Sequence, residues 1–120
     1  MAYKLMSISK TIEDEKDQFR WEANDSVTGT SIAGASIIIP SGSNGIGFTV
    51  ICGSGSSYKI QAATDSIYTL ENDESSITWY DHPSGTLSTN FQDLVNIGAS
   101  AIRLYSVSGT NASTIKVSAK

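Results

Sequence analysis

Gln18-Phe19-Arg20-Trp21-Glu22-Ala23-Asn24 alternates without a break: Phe19, Trp21 and Ala23 fall on one side, Arg20, Glu22 and Asn24 on the other. Successive side chains of an extended backbone point to opposite faces, so a period of two marks a strand with one buried and one wet face. The same period recurs in both directions from this stretch. Upstream, Tyr3 and Leu5 share one face, with Lys4, Met6 and Ile8 on the other, and Glu13 to Asp17 reads as a charged connector. Downstream, Ala35 to Ile39 carries three consecutive isoleucines, which predicts a strand buried on both faces. Ile46 to Cys52 and Tyr58 to Thr64 follow, separated by Gly53-Ser54-Gly55-Ser56-Ser57, read as a flexible loop. Asn44-Gly45 suits a tight turn with positive φ at both central residues. Asp65 to Leu70 reads as a short extended piece. Ile77–Tyr80, Leu87–Phe91 and Leu94–Ile97 read as short strands. Ala101–Val107 and Thr114–Ala119, joined by Ser108-Gly109-Thr110-Asn111, look like a closing hairpin with Ile115, Val117 and Ala119 turned inward. No ten-residue stretch has a helical apolar stripe. Eight to ten short strands at this spacing predict an all-β fold, an antiparallel β-sandwich or a jelly-roll-like barrel, as one domain over residues 1–120.

Composition narrows the function. With 120 residues the chain can bury roughly two-thirds of its unfolded surface and needs no covalent staple. Its single cysteine, Cys52, excludes an internal disulfide and a cysteine-based zinc site. In its apolar context Cys52 is expected to behave as a small hydrophobe. A net charge of −4 and a pI near 4.7 argue against nucleic-acid binding, which needs excess Lys and Arg. Of the 120 residues, 20 are Ser and 11 are Thr, a composition suited to solvated strand faces. The first ten residues alternate and contain no continuous apolar core, so no secretory signal is expected. No run approaches the 18 apolar residues of a membrane span. Asn24-Asp25-Ser26 and Asn111-Ala112-Ser113 fit the N-glycosylation pattern, which carries little weight without a secretory signal.

Reactive chemistry is sparse. The only histidine, His82, sits between Asp81 and Pro83 in an expected loop, and no Gly-x-Ser-x-Gly elbow accompanies it. The acidic residues cluster at 13–17 and 71–74, where water keeps them ionised, unlike the paired carboxylates of a glycosidase. Glu71-Asn72-Asp73-Glu74 lacks the spacing of a calcium loop. The glycines at 45–47 and 53–55 lack the Lys-Ser/Thr and helix of a phosphate loop. The expectation is no enzyme, no cofactor and no metal, and a binding or structural role. Trp79 and Tyr80 beside Asp81 leave a carbohydrate-binding module open as a rival.

From Gly47 onward the chain resembles the small all-β virion proteins of tailed bacteriophages: head decoration (cement) proteins, head fibres, and neck or tail adaptors. The resemblance rests on Gly47-Phe48-Thr49-Val50, Tyr58-Lys59-Ile60-Gln61-Ala62-Ala63-Thr64-Asp65-Ser66, Thr78-Trp79 and Pro83-Ser84-Gly85-Thr86. It continues through Gly98-Ala99-Ser100-Ala101-Ile102-Arg103-Leu104, Gly109-Thr110 and Thr114-Ile115-Lys116-Val117. It is a texture of composition and strand spacing, without a catalytic or ligand motif, and the first 45 residues take no part in it. It implies a virion protein made in the host cytoplasm and placed on the outer head surface, where its acidity keeps it clear of packaged DNA. The major capsid protein, or another virion protein, would be the partner. A homotrimer is the favoured oligomer, since capsid decoration often occupies three-fold positions. A neck or tail adaptor or fibre module is the alternative. Tyr3, Leu5 and Met6 are the expected docking strand, and Tyr80 and His82 an expected contact patch.

Overall fold

In the computed structural model, residues 3–13, 16–43, 45–95 and 98–119 are described. Asn44 of the expected Asn-Gly turn, Asp14 and Glu15 of the charged connector, Asn96 and Ile97 at the end of the expected 94–97 strand, and the side chain of Phe19 lie outside the described residues. Eleven strands and one short helix follow in order: β1 (Tyr3–Leu5), β2 (Ser7–Glu13), β3 (Lys16–Val27), β4 (Ile32–Ala33), β5 (Ser36–Ile38), β6 (Ile46–Ile51), β7 (Ser57–Ala63), α1 (Ile67–Asn72), β8 (Tyr80–Asp81), β9 (Phe91–Val95), β10 (Ala101–Ser108) and β11 (Ser113–Ala119). They form two sheets. One has the order β1-β5-β10-β7-β8, with β4 also on β10; the other has the order β2-β3-β11-β6-β9. The chain is an all-β sandwich.

The inward rows of both sheets meet in one core. Ile37, Tyr58, Ile60, Ile102 and Leu104 come from the six-stranded sheet, and Phe48, Val50, Ile115, Val117 and Ala119 from the five-stranded one. Trp21 and Ala23 pack at its margin, as the alternation of their strand predicts. The three isoleucines are buried on both faces for a definite reason. Ile37 and Ile39 enter the main core, while Ile38 faces the opposite way into a second cluster with Ala63, Ala101 and Leu70 of α1. The helix thus adds a partial third layer on the outer side of the six-stranded sheet. Asp65–Leu70 is therefore not extended: Ser66 caps α1, its Oγ accepting the Thr69 N–H at 3.3 Å. Next to it, Glu74–Ser76 forms a 3₁₀ turn, and the strand expected at 77–80 is reduced to Tyr80–Asp81. Leu87 makes a single bridge with Tyr58, and among the described residues the strands expected at 87–91 and 94–97 are replaced by one strand, Phe91–Val95.

The largest departure concerns the last two strands. They do not form a hairpin. β10 pairs with β7, β5 and β4 in one sheet, whereas β11 pairs with β3 and β6 in the other. The connection between them is an arch across the sandwich, laid beside a second arch from β6 to β7. Side-chain hydrogen bonds stitch the two: Ser56 Oγ donates to Asn111 O (2.7 Å), Asn111 Nδ2 to Ser54 O (2.7 Å), and Gly53 N to Ser113 Oγ (3.0 Å). A Cβ at Gly53 would collide with the Asn111 carbonyl, so the approach of the arches requires glycine there. The Gly/Ser tract is a fastened joint, not a loose loop.

β1 and β2 are one chain direction that changes sheet. β1 pairs parallel with β5, the exception in an otherwise antiparallel arrangement, and β2 pairs antiparallel with β3. The crossing residue, Met6, is 7% exposed and lies in the core. Lys4 fastens the crossing: its Nζ donates to Asn24 O (2.9 Å) and pairs with Asp25 Oδ1 at 3.3 Å, while Asp25 Oδ2 accepts the Ala35 N–H (2.9 Å).

Candidate functional site

The outside of the five-stranded sheet is a groove of about 1210 Å³. The register builds its floor in two rows. Ser7, Glu22, Ser118, Gly47 and Leu94 lie in line across β2, β3, β11, β6 and β9, and Asn24, Lys116, Thr49 and Gln92 lie in the next. Hydroxyl, amide and charged groups dominate. The two exposed apolar side chains in the lining, Leu5 and Leu94, are each 63% exposed. Among the described residues, no exposed aromatic ring lines the groove; Phe48 points to the core at 3% exposure.

β2 and β3 continue beyond this sheet. Pairing of β3 with β11 ends at Trp21, opposite Ala119, but pairing with β2 runs on from Ile8↔Trp21 to Glu13↔Lys16. Among the described residues, positions 16–20 of β3 pair with β2 alone. Of the charged connector expected at 13–17, the described residues Glu13, Lys16 and Asp17 belong instead to this two-stranded ribbon.

The expected docking residues are separated by the fold. Leu5 is open to solvent. Tyr3 is half-buried against the cluster under α1, where β1 pairs with β5. Met6 does not share their exposure: its side chain is buried in the core. Tyr80 is 56% exposed on the edge strand β8. His82, of the expected contact patch, has its ring engaged inside the protein. The edge of the ring meets Phe48 and Phe91 at centroid distances of 5.3 and 5.9 Å. Nδ1 accepts the Ser84 backbone N–H (3.1 Å), so that nitrogen is unprotonated and Nε2 carries the hydrogen that faces Asp93 Oδ2 at 3.2 Å. The histidine therefore ties the segment after β8 in one sheet to edge strand β9 in the other.

A third surface was not singled out in the sequence. On the outer face of the six-stranded sheet, Asp81, Gln61 and Arg103 form one row across β8, β7 and β10. Gln61 Nε2 donates to Asp81 Oδ1 (2.9 Å), Lys59 Nζ to Asp81 Oδ2 (3.2 Å), and Arg103 Nε to Gln61 Oε1 (2.7 Å). The Arg103 guanidinium lies 4.1 Å from the Trp79 ring centroid and the Lys59 ammonium 5.0 Å from that of Tyr105. The Gln61 amide, then the Lys59 ammonium, hold the Asp81 carboxyl below its ordinary value. Partial burial pulls Arg103 below the ordinary arginine value, against the attraction of Tyr105 and Glu74. Alternation along the 58–64 strand puts Lys59 and Gln61 on one face; it does not show that β8 brings Asp81 to that row. A cation on its face leaves the Trp79 ring less suited to stacking a sugar.

Cys52 is half-buried at the core margin, its thiol within 3.3 Å of the Gly53 and Ser56 carbonyls. Among the described residues, no three His, Cys, Asp or Glu side chains are grouped to hold a metal ion, and no helix is long and apolar enough to cross a membrane. No protein-family model matches the chain, and no curated protein or solved structure matches it either.

Proposed function

We propose that the chain is a structural component of a tailed-bacteriophage particle: a decoration protein on the outside of the head that stiffens the shell by bridging neighbouring capsid subunits. The observation that carries this reading is the ribbon of β2 and β3. A two-stranded ribbon is marginal in water by itself. One that runs past its own sheet, with open main-chain edges among the described residues, gains stability by pairing with or lying on another chain. Leu5 of β1 and Leu94 of β9, which both line the groove, offer apolar contacts beside it. The phage-like texture of Gly47–Val117 and the charge of −4 agree with a place outside the DNA-filled shell. Weak contacts repeated over many copies suffice, because lattice binding is multivalent. Trimerisation would cover open strand edges.

The test uses purified particles from a strain that carries the gene. Mass spectrometry should count the chain in hundreds of copies. A count of about six or twelve, as in a closed ring, would move it to the neck or tail; absence from particles would refute the reading. Replacing residues 9–20 by Asn-Gly shortens the ribbon to Ile8 and Trp21. Occupancy on heads should fall while the urea midpoint of the sandwich is retained, and full occupancy would remove the arm from the mechanism.

A further inference from the structure

Arg103 lacks the counter-ion that its row provides. The carboxylate nearest in register, Asp81, commits one oxygen to Gln61 and the other to Lys59. Gln61, 8% exposed, stands between the acid and the arginine and gives Arg103 a neutral acceptor instead. The other groups around the guanidinium are the Glu74 carboxylate, which attracts it without a bonded contact, the Tyr105 side chain, and the Trp79 ring beneath it. Its plane is thus fixed by the ring on one face and by Nε on one edge. Its two terminal nitrogens donate to no acceptor among the described residues. A guanidinium held in this way has already lost the rotamer freedom that binding would remove, and its free fork matches two oxygens in a plane.

We propose that Arg103, clamped between Trp79 and Gln61, is a receptor for a single carboxylate, supplied by an acidic side chain of the protein on which the chain docks. The identity of the carboxylate's carrier rests on the assembly reading above; the receptor does not. Local charge selects a monoanion. Arg103 and Lys59 are balanced by Asp81 and Glu74, so a carboxylate adds one net negative charge to a half-buried site where a phosphate would add two. The surroundings suit a protein partner. Trp79 and Tyr105 flank the arginine, and Trp, Tyr and Arg are the residues that anchor interfaces. On the same side of the sheet, α1 exposes Ile67 (54%) and Tyr68 (70%).

Acetate is the probe. In ¹⁵N-labelled protein, the Arg103 Nε–H and Trp79 indole N–H signals should shift saturably with sodium acetate, with a midpoint on the order of 10 mM, the weak affinity of one charge-assisted pair. Sodium chloride at matched ionic strength and inorganic phosphate should shift them less. Arg103→Lys keeps the charge but loses the fork, and should weaken acetate binding about tenfold. Glu74→Gln removes a carboxylate that competes for the guanidinium and should tighten binding about twofold. The proposal is overturned if acetate moves neither signal, if chloride or phosphate moves them equally, or if R103K binds acetate as wild type does. On heads, R103K should lower occupancy. Normal occupancy beside intact acetate binding by the wild type would overturn the docking role and leave the receptor. Acetate binding by a chain found on no particle would overturn the assembly reading alone.

Discussion

Tyr58→Phe tests whether the centre of the sandwich is packed as described. Tyr58 has no exposed surface, and its hydroxyl donates to Thr89 O at 2.6 Å. Burial first, and the neighbouring Cys52 second, push its pKa up to about 12 from the ordinary 10. Deleting the hydroxyl removes one hydrogen bond while keeping the ring. Thr89 is exposed, so water can take over its carbonyl, and the cost at pH 7 is about 1 kcal/mol. The pH dependence follows from linkage. A phenol whose pKa is raised by folding stabilises the fold fully below pH 10 and loses that contribution as the pH climbs toward 12, because only the unfolded chain ionises in between.

The two pKa values give a loss of about 1.4 kcal/mol at pH 11, reduced to about 1 kcal/mol because the hydroxyl reaches the rim of the core beside an exposed carbonyl. Phenylalanine cannot ionise. The stability gap between wild type and Y58F should therefore be about 1 kcal/mol at pH 7, close to zero at pH 11, and reversed above pH 12. Urea unfolding of both proteins at pH 7, 9 and 11 reads it. All other tyrosines and lysines titrate equally in the pair, so the difference isolates position 58. A gap that stays constant from pH 7 to 11 would show that the hydroxyl is solvated in the folded state, and the packing argument would fail.

Ile38→Ala should destabilise the fold by about 2–4 kcal/mol in urea unfolding, as much as Ile37→Ala, because α1 buries one as fully as the opposite sheet buries the other; a cost below that of a surface substitution would remove the third layer. His82→Gln should loosen the link between sheets at a cost of about 1–2 kcal/mol. Hydrogen exchange should then accelerate in Phe91–Val95 while the β7–β10 amides stay protected, and uniform acceleration would show that His82 supports the whole core instead of β9.

Alternation made the faces legible. Trp21 and Ala23 on β3, Ile115, Val117 and Ala119 on β11, and the doubly buried isoleucines all lie where the period of two places them. Alternation is silent on partners. Ser108-Gly109-Thr110-Asn111 would serve a hairpin as well as an arch; what decides is the Gly53–Ser57 loop, more than 50 residues away, whose hydrogen bonds hold the arch across the sandwich. Local sequence also misread α1. Ile67 and Tyr68 face solvent, so the helix buries little more than Leu70 and shows no apolar stripe; its capping serine was the available signal. The Arg103 row was hidden for a third reason. It joins residues 61, 81 and 103 through strand register, and no spacing along one strand announces it.

The fold sets the two proposed binding surfaces apart. His82, the arch stitches and the Lys4–Asp25 pair lock one sheet to the other, so the two outer faces hold a fixed relation to each other. The groove and the ribbon belong to the five-stranded sheet, and Arg103 with Trp79 to the six-stranded sheet on the opposite side. A chain that binds on both sides of a locked sandwich holds two neighbours at a set distance, and a load on one is transmitted to the other without deforming the core. Binding on one side alone would coat a shell without joining its parts. If the chain decorates a head as proposed, the ribbon deletion and R103K should each reduce the mechanical strengthening of the head more than they reduce occupancy, because each would leave one side attached. Equal losses of strength and occupancy would show that both surfaces contact the same subunit.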